Sequence, residues 1–416
     1  MSWSDSQIAY LFLAASVLGT ALTYNALRPR RSGRATLLAG FFASWLTIEL
    51  AVHHLVLQFA VVCGFVALGA LHALPGWLAL ALTTASWAAM LRLWLDGRRT
   101  SMTLRAALDG FIAPGPWPRV PLDKLWFPFR PRRRGVTITR NVVFASRGER
   151  SLKLDVYAPE RSQRLRPAII QMHGGAWIVG DKREQGLPLL NHLAANGWVG
   201  FNANYRLSPR ATFPDHLVDV KEAVAWVREH AQEFGVDPDF IAVTGGSAGG
   251  HLAAMTALTP GLARFQPGFE EADTSVQAAV LFYGVYDFTD RLGIMPPEFR
   301  YGLLRKQVMK VSPDEDPAAF LDASPLEHVS PDAPPTFVIH GDRDTLAPVE
   351  YARLLVEQMQ DAGAHVAYSE LRGAQHAFDV FASPRTVRTV AAVERFLAAV
   401  RTQHSEAGSP SSDATS

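Results

Sequence analysis

The chain has 416 residues, of which 48% are hydrophobic and 19% are charged, and its formal net charge is +1. This composition excludes a disordered, collagen-like or coiled-coil protein. The balance of 40 Lys and Arg against 39 Asp and Glu argues against a nucleic-acid binder, which needs a basic excess. The single cysteine, Cys63, excludes an intrachain disulfide and a cysteine-based metal site.

The first quarter of the chain has the composition of a membrane region. Residues 1–95 hold only seven charged residues, and the stretch 8–27, which holds none, is long enough to cross a bilayer core of about 30 Å. A cleaved signal peptide is the alternative, but its basic residues would precede the apolar stretch, and here the arginines follow it. We therefore expect an all-α transmembrane region. Its helices, about four, are expected at 8–27, 35–52, 55–74 and 77–95.

Three spans with one re-entrant piece are the alternative to four spans. The positive-inside rule places the arginines near residue 30 in the cytoplasm, and the number of spans then decides the side of the arginines after residue 97. The side of the membrane on which the rest of the chain lies is therefore left open. Glu49, His53 and His54 interrupt the apolar sequence, and because no second carboxylate accompanies them we interpret them as a short loop at a hairpin end.

Two polar segments follow. Residues 96–136 are rich in Pro, Trp, Phe and Arg, which favours a connector resting on lipid headgroups, with a plain linker as the alternative. Residues 403–416 are Ser-rich and lack large apolar side chains, so we expect a disordered tail.

Residues 137–402 alternate between strand and helix patterns. Alternation of this kind predicts an α/β domain with a mostly parallel central sheet covered on both faces, and a site at the carboxyl edge of that sheet. The predicted strands lie at 142–146, 152–157, 167–172, 198–205, 240–244, 276–282, 336–340 and 365–371.

The strongest chemical motif is the sequence GGSAG at 245–249, between a predicted strand and a predicted helix. A serine nucleophile at such a turn has a strained backbone and needs small neighbours. A phosphate loop is the alternative, but the Lys-Ser/Thr of a P-loop and the GxGxxG spacing are both missing. We therefore assign Ser247 as the nucleophile.

Glycines also follow an earlier predicted strand, in the sequence HGGAW at 173–177. Two consecutive glycines leave backbone N–H groups uncovered, as an oxyanion hole requires. A bare turn is the alternative, although it needs neither the glycine pair nor the tryptophan. We assign the N–H groups of Gly174, Gly175 and Ala248 as the oxyanion hole.

The two remaining groups of a triad follow late strands, in HGDRDTLAP and GAQHAFD. The chain order of Ser247, Asp344 and His376 is that of a nucleophile, an acid and a base brought to one sheet edge. Asp342 and Asp379 are alternative acids, and the choice of Asp344 depends in part on a family match.

Seven segments carry that match, namely HGGAW, YRLSP, FPDHLVDVKEAVAWV, GGSAGGHLA, YGVYD, HGDRDTLAP and GAQHAF. Together they resemble the α/β-hydrolase superfamily, specifically the bacterial hormone-sensitive-lipase-like esterases, and HGGxW is also similar to the kynurenine-formamidase-like branch. The resemblance covers residues 137–402. Gly246 replaces the usual acidic residue before the serine, and Ala176 replaces the third glycine of HGGG. The motifs therefore do not identify the subfamily.

The resemblance implies an acyl-enzyme on serine, which needs neither a cofactor nor a metal. It also implies a cap over the site, for which the candidates are the connector and residues 288–335, and substrate contacts from the motif aromatics Trp177, Tyr205 and Tyr286. We therefore expect a membrane-anchored serine esterase or lipase of a bacterial plasma (inner) membrane. Its substrates are expected to be small to medium acyl esters, lipid-like ones included. The alternatives are an amidase or formamidase of the same fold and a catalytically silent membrane scaffold.

Overall fold

The computed structural model describes residues 3–29, 34–113, 115, 117, 127–129, 131, 133–148, 150–160 and 164–407. Much of the expected connector, and the expected tail from residue 408 onward, lie outside these residues. The described residues form a group of N-terminal helices followed by one sheet with helices on both faces.

Four helices precede the sheet. They are α1 (Asp5–Leu27), α2 (Arg34–Glu49), α3 (Ala51–Ala67) and α4 (Leu74–Ala107), with a 3₁₀ turn at Ala70–His72. The start of α1 is fixed by a capping box, in which Ser4 Oγ accepts the Gln7 N–H at 3.3 Å and Gln7 Oε1 accepts the Ser4 N–H at 3.0 Å. The end of α4 extends past residue 95 into the expected connector.

Among the described residues, only α1 and α4 are each long and apolar enough to cross a membrane. The chain bends by 90° between α2 and α3, so this pair counts as at most one broken span or re-entrant loop. With 16 and 17 residues, these two helices are shorter than the roughly 20 residues that a span needs. By length and composition, the described residues therefore offer two spans, or three if the bent pair is one span.

One eight-stranded sheet, ordered β1-β2-β4-β3-β5-β6-β7-β8, forms the centre of the rest of the chain. Its first two pairings, β1 with β2 and β2 with β4, are antiparallel, and all the others are parallel. The mostly parallel sheet predicted from the sequence is thus confirmed. The strands are β1 (Val136–Arg147), β2 (Arg150–Pro159), β3 (Arg166–Met172), β4 (Val199–Ala203), β5 (Val236–Gly246), β6 (Ala278–Phe282), β7 (Thr336–Gly341) and β8 (Val366–Leu371).

Helices cover both faces of this sheet, and each face has its own apolar core. One core includes Leu217 and Leu252, and the other includes Phe396 together with Leu104 from the end of α4. The N-terminal helices and the sheet domain therefore share buried apolar surface. The helices are α5 (Leu187–Ala195), α6 (Asp215–Glu229), α7 (Ala231–Phe234), α8 (Ala248–Leu258), α9 (Glu298–Met309, a π-helix), α10 (Pro317–Asp322), α11 (Val349–Asp361) and α12 (Pro384–Ala407).

The last helix differs from the sequence expectation, because α12 includes residues 403–407 of the expected tail.

The strands β3, β5, β7 and β8 run parallel, so their carboxyl ends meet at one edge of the sheet. The motif loops with HGGAW, Ser247, Asp344 and His376 all follow these four strands.

Candidate active site

Ser247 occupies the sharp turn from β5 into α8. Its φ of 59° and ψ of −121° are unfavourable for a residue with a side chain, which is the backbone strain expected of a nucleophile elbow. The neighbouring glycines are required by space, since a Cβ at Gly245 would lie 2.3 Å from the Gly249 carbonyl oxygen. The Ser247 N–H donates to the Phe282 carbonyl at 3.0 Å, which fixes the turn on β6. Ser247 is partly exposed, whereas Gly246 and Ala248 are buried.

His376 and Asp344 form a buried pair on the loops after β8 and β7. His376 Nδ1 lies 2.6 Å from Asp344 Oδ2, and Asp344 Oδ1 accepts the N–H groups of Leu346 and Ala347, each at 2.8 Å. Burial by itself would raise the pKa of Asp344, but the His376 ring and the hydrogen bonds from His340 and His376 hold that pKa well below its usual range. Asp344 is therefore an anion placed to orient and stabilise a protonated His376.

The two alternative acids have other partners. Asp342 Oδ1 accepts the Gly373 N–H at 2.6 Å, and Asp379 accepts the hydroxyl of Tyr283. Only Asp344 of the three is recorded in contact with the His376 ring among the described residues.

Tyr283 connects the serine turn to the histidine. Its ring centroid lies 4.6 Å from that of His376. A Cβ at Gly246, next to Ser247, would lie 2.7 Å from the Tyr283 ring. Within the described part of the chain no hydrogen bond joins Ser247 Oγ to His376. Such bonds are often long before a substrate binds. The structure therefore brings Ser247, Asp344 and His376 to one sheet edge, but the hydrogen bond between Ser247 Oγ and His376 is not formed.

The HGGAW loop lies against the nucleophile, since a Cβ at Gly174 would be 3.1 Å from Ser247 Cβ. The Gly174 N–H, however, donates to Gln185 Oε1 at 2.7 Å, so it is not free to bind an oxyanion. In the described chain, the N–H groups of Gly175 and Ala176 have no such acceptor. In this structure the Gly174 N–H is therefore occupied, and the uncovered N–H groups of this loop are those of Gly175 and Ala176.

The three aromatic residues assigned to substrate contact are buried and have structural partners instead. Trp177 Nε1 donates to His251 Nδ1 at 3.3 Å, and Tyr205 donates its hydroxyl proton to the His173 carbonyl at 2.9 Å. The Tyr286 hydroxyl accepts the Gly284 N–H at 3.1 Å. These contacts hold the loops around the site, so a substrate-binding role for these residues has no support in the geometry.

The sequence reasoning missed the pair formed by Tyr283 and Asp379. Burial raises the pKa of Asp379, and burial together with the Asp379 carboxylate raises the pKa of Tyr283. Tyr283 therefore keeps its proton and donates a hydrogen bond to Asp379 beside His376. The available signal was a tyrosine in YGVYD and an acid three residues after the histidine, in a protein where buried polar groups must find partners.

Glu49 also has a partner that the sequence did not indicate. Its carboxylate forms an ion pair with Arg385 of α12 and accepts the Ser383 hydroxyl at 2.7 Å. Glu49 is the last residue of α2, at the 90° bend before α3, and its ion pair ties this end of the helix to α12. His53 and His54 lie within α3 and not in the predicted loop.

An apolar cavity opens beside the acid loop. It is small and is lined by residues of the β6 exit, of the segment before α9 and of the turn after Asp344. Met295 and Phe299, both from the predicted second cap segment, belong to this lining.

Comparison with known proteins gives a consistent set of similarities. The BD-FAE family matches residues 154–359. The "Probable carboxylic ester hydrolase LipM" of Mycobacterium tuberculosis is 43% identical over 422 residues, which cover 96% of this chain and 95% of that protein. "Esterase LipQ" of the same organism is 43% identical over 65% of this chain and 64% of its own length. A solved thermophilic esterase of Thermogutta terrifontis, in its propionate-bound form, is 30% identical with a TM-score of 0.53, over 66% of this chain and 95% of that chain.

Proposed function

Since the chain belongs to the hormone-sensitive-lipase-like carboxylic ester hydrolases of the α/β-hydrolase superfamily, we propose that it cleaves esters at a membrane through Ser247, His376 and Asp344. The observation that carries this proposal is the contact of 2.6 Å between His376 Nδ1 and Asp344 Oδ2, at the same sheet edge as the strained Ser247 turn. Each of the three groups follows a different parallel strand.

In the first half of the reaction, Ser247 Oγ attacks the ester carbonyl carbon while His376 Nε2 takes the hydroxyl proton. Asp344 stabilises the imidazolium that forms. The negative charge on the carbonyl oxygen is held by the N–H groups of Gly175, Ala176 and Ala248, the last at the positive end of α8. The alcohol then leaves with the proton from His376, and an acyl ester remains on Ser247.

In the second half, a water molecule attacks the acyl ester, with His376 as general base. The carboxylic acid leaves and Ser247 regains its proton. No step needs a group other than those of this chain and water.

The acyl group is proposed to be small to medium in size. The small cavity beside the turn after Asp344 has aliphatic and aromatic walls, which is the kind of surface that contacts an acyl chain. The propionate held by the esterase of Thermogutta terrifontis supports the same range.

The N-terminal region, residues 1–95, is proposed to hold the enzyme in a bacterial plasma membrane. α1 and α4 are long enough to span it. Leu38, Phe42 and Leu46 of α2 follow one another at four-residue spacing and are all exposed, so this face of α2 also suits contact with lipid. Lipid-like esters supplied from the bilayer are therefore natural candidates as substrates.

The first test is labelling of full-length protein in detergent with a fluorophosphonate probe, which reacts with an activated serine. We expect labelling of the native chain and none of Ser247→Ala. Failure to label well-folded native protein would overturn the triad and favour a silent membrane scaffold.

The second test measures kcat/KM for p-nitrophenyl esters of increasing chain length and for N-formyl amides. We expect an optimum at short to medium acyl chains and weak activity on the amides. A preference for the amides would replace the esterase proposal with a formamidase, and an optimum at long chains would replace the proposed acyl range.

A further inference from the structure

The inner face of α2 rests directly on the loop that carries His376. Trp45 Nε1 donates to the Ala377 carbonyl at 2.9 Å, and Ser44 Oγ accepts a hydrogen bond from Gln375 Nε2 at 2.9 Å. The Phe41 ring meets the His376 ring edge-on, with centroids 6.3 Å apart. A helix of the N-terminal region therefore touches the residues on both sides of the proposed catalytic base.

Gln375 links this helix to both charged members of the triad. Its Oε1 accepts the His376 N–H at 2.9 Å and the Thr345 N–H, next to Asp344, also at 2.9 Å. Gln375 and Ser44 are fully buried, so water does not substitute for a lost partner at either end. The Gln375 side chain can keep its hydrogen bonds to the acid loop and the base loop only while Ser44 bonds its amide nitrogen.

The backbone next to His376 needs such support. Ala377 has a φ of 57°, a conformation that a residue with a side chain rarely adopts. The Trp45 hydrogen bond to its carbonyl and the stacking of Trp45 on Phe381, with centroids 4.5 Å apart, hold this loop from the side of α2. The ion pair of Glu49 with Arg385 anchors the end of the same helix.

We infer that Ser44 is a positioning residue for His376 and acts through Gln375, so that α2 is a part of the active site and not only of the membrane anchor. The inference rests on the proposed role of His376. It deepens that proposal by making the N-terminal helices necessary for the chemical step, because a base held at the wrong angle loses its effect in the transition state.

The test compares Ser44→Ala with Ser86→Ala in the full-length protein in detergent. Both changes remove a buried hydroxyl from an N-terminal helix, but Ser86 bonds only Thr23 Oγ1 of α1, at 2.7 Å, among its recorded hydroxyl contacts in the described residues, so it is the matched control. We expect Ser44→Ala to lower kcat about tenfold with KM unchanged, as one buried hydrogen-bond partner is lost. Ser86→Ala is expected to keep the native kcat, and Ser44→Thr to restore most of the loss.

A second variant covers the case in which Ser44→Ala does not fold. Trp45→Phe keeps the stacking ring and removes only the donor to Ala377, and it too is expected to lower kcat without a change in KM. A native kcat in well-folded Ser44→Ala or Trp45→Phe overturns the inference, and so does an equal loss in Ser44→Ala and Ser86→Ala. Labelling of native Ser247 by the fluorophosphonate separates the two proposals. A labelled native enzyme with an unaffected Ser44→Ala variant removes only the role of α2, whereas an unlabelled native enzyme removes the triad.

Discussion

The replacement Asp344→Asn tests the triad at its most constrained point. Asp344 Oδ1 accepts two N–H groups, from Leu346 and Ala347, so an asparagine must keep its carbonyl oxygen there. Its NH₂ group then faces His376 Nδ1, which lies 2.6 Å from Asp344 Oδ2 in the native chain. That nitrogen must become an acceptor, which moves the ring proton to Nε2 and leaves His376 unable to take the proton of Ser247.

The expected loss follows from this change of tautomer. The base is removed although its position is kept, and in a serine protease triad the same substitution costs about 10⁴-fold in kcat. A factor of that size corresponds to about 5 kcal/mol of transition-state stabilisation. KM is expected to stay near the native value, because the apolar cavity and the N–H groups for the oxyanion are unchanged.

The assay is p-nitrophenyl butyrate hydrolysis by full-length protein in detergent, with the rate of fluorophosphonate labelling as a second measure. Asp342→Asn is the control, since this acid is two residues away and accepts the Gly373 N–H instead. We expect it to stay within about threefold of the native enzyme. A loss below about hundredfold in Asp344→Asn, or a large loss in Asp379→Asn with Asp344→Asn active, would refute the assignment of the acid.

Two further predictions concern the oxyanion loop and the stability towards acid. At Gly175, which has a φ of +116°, a Cβ would lie 2.0 Å from the Val179 carbonyl oxygen. Gly175→Ala is therefore expected to displace the loop and to lower kcat/KM by at least about a hundredfold. A native kcat/KM would contradict the placement of Gly175 in the oxyanion hole. Burial lowers the pKa of His216 to about 4, so only the unfolded chain takes up this proton between pH 6.5 and 4. The contribution of His216 to the free energy of unfolding is then fully present above pH 6.5, and below that pH it falls by up to about 1.4 kcal/mol per pH unit. Thermal unfolding between pH 7 and 5 should show a flatter decline for His216→Gln, and equal slopes would contradict this account.

The parts of the site that the sequence predicts are those whose chemistry is local. GGSAG is readable because a turn at Ser247 that admits no Cβ at Gly245 demands small residues in a fixed order. The strand before each motif is readable for the same reason, because buried parallel strands are short apolar runs with turn residues at their ends. Eight strands were expected, and the described residues form a sheet of eight. The order of the motifs along the chain then gives the order of the triad.

The parts that the sequence does not predict depend on partners from elsewhere in the chain. Gly174 looks like an oxyanion donor until Gln185, eleven residues later, takes its N–H. Trp177 looks like a substrate contact because it follows the glycines, but the turn directs its ring into the core against His251. Glu49 looks like a loop residue without a partner, because its partner Arg385 is 336 positions away. A motif gives the spacing of residues along the chain but not their distances in the fold.

The arrangement of the N-terminal helices gives them a closer connection to catalysis than an anchor needs. Leu104 of α4 is fully buried in the same core as Phe396, and burial of one leucine contributes about 1.5–3 kcal/mol, a sizeable part of the 5–15 kcal/mol that is typical of a whole domain. Arg343, next to Asp344, donates to the Ala26 carbonyl at the end of α1 at 3.1 Å, and Gln375, next to His376, donates to Ser44 of α2. Contacts from two N-terminal helices therefore reach the neighbours of the acid and of the base. A helix that only held the protein at a bilayer would not need to touch either loop, so the proposed membrane region also supports the loops of Asp344 and His376.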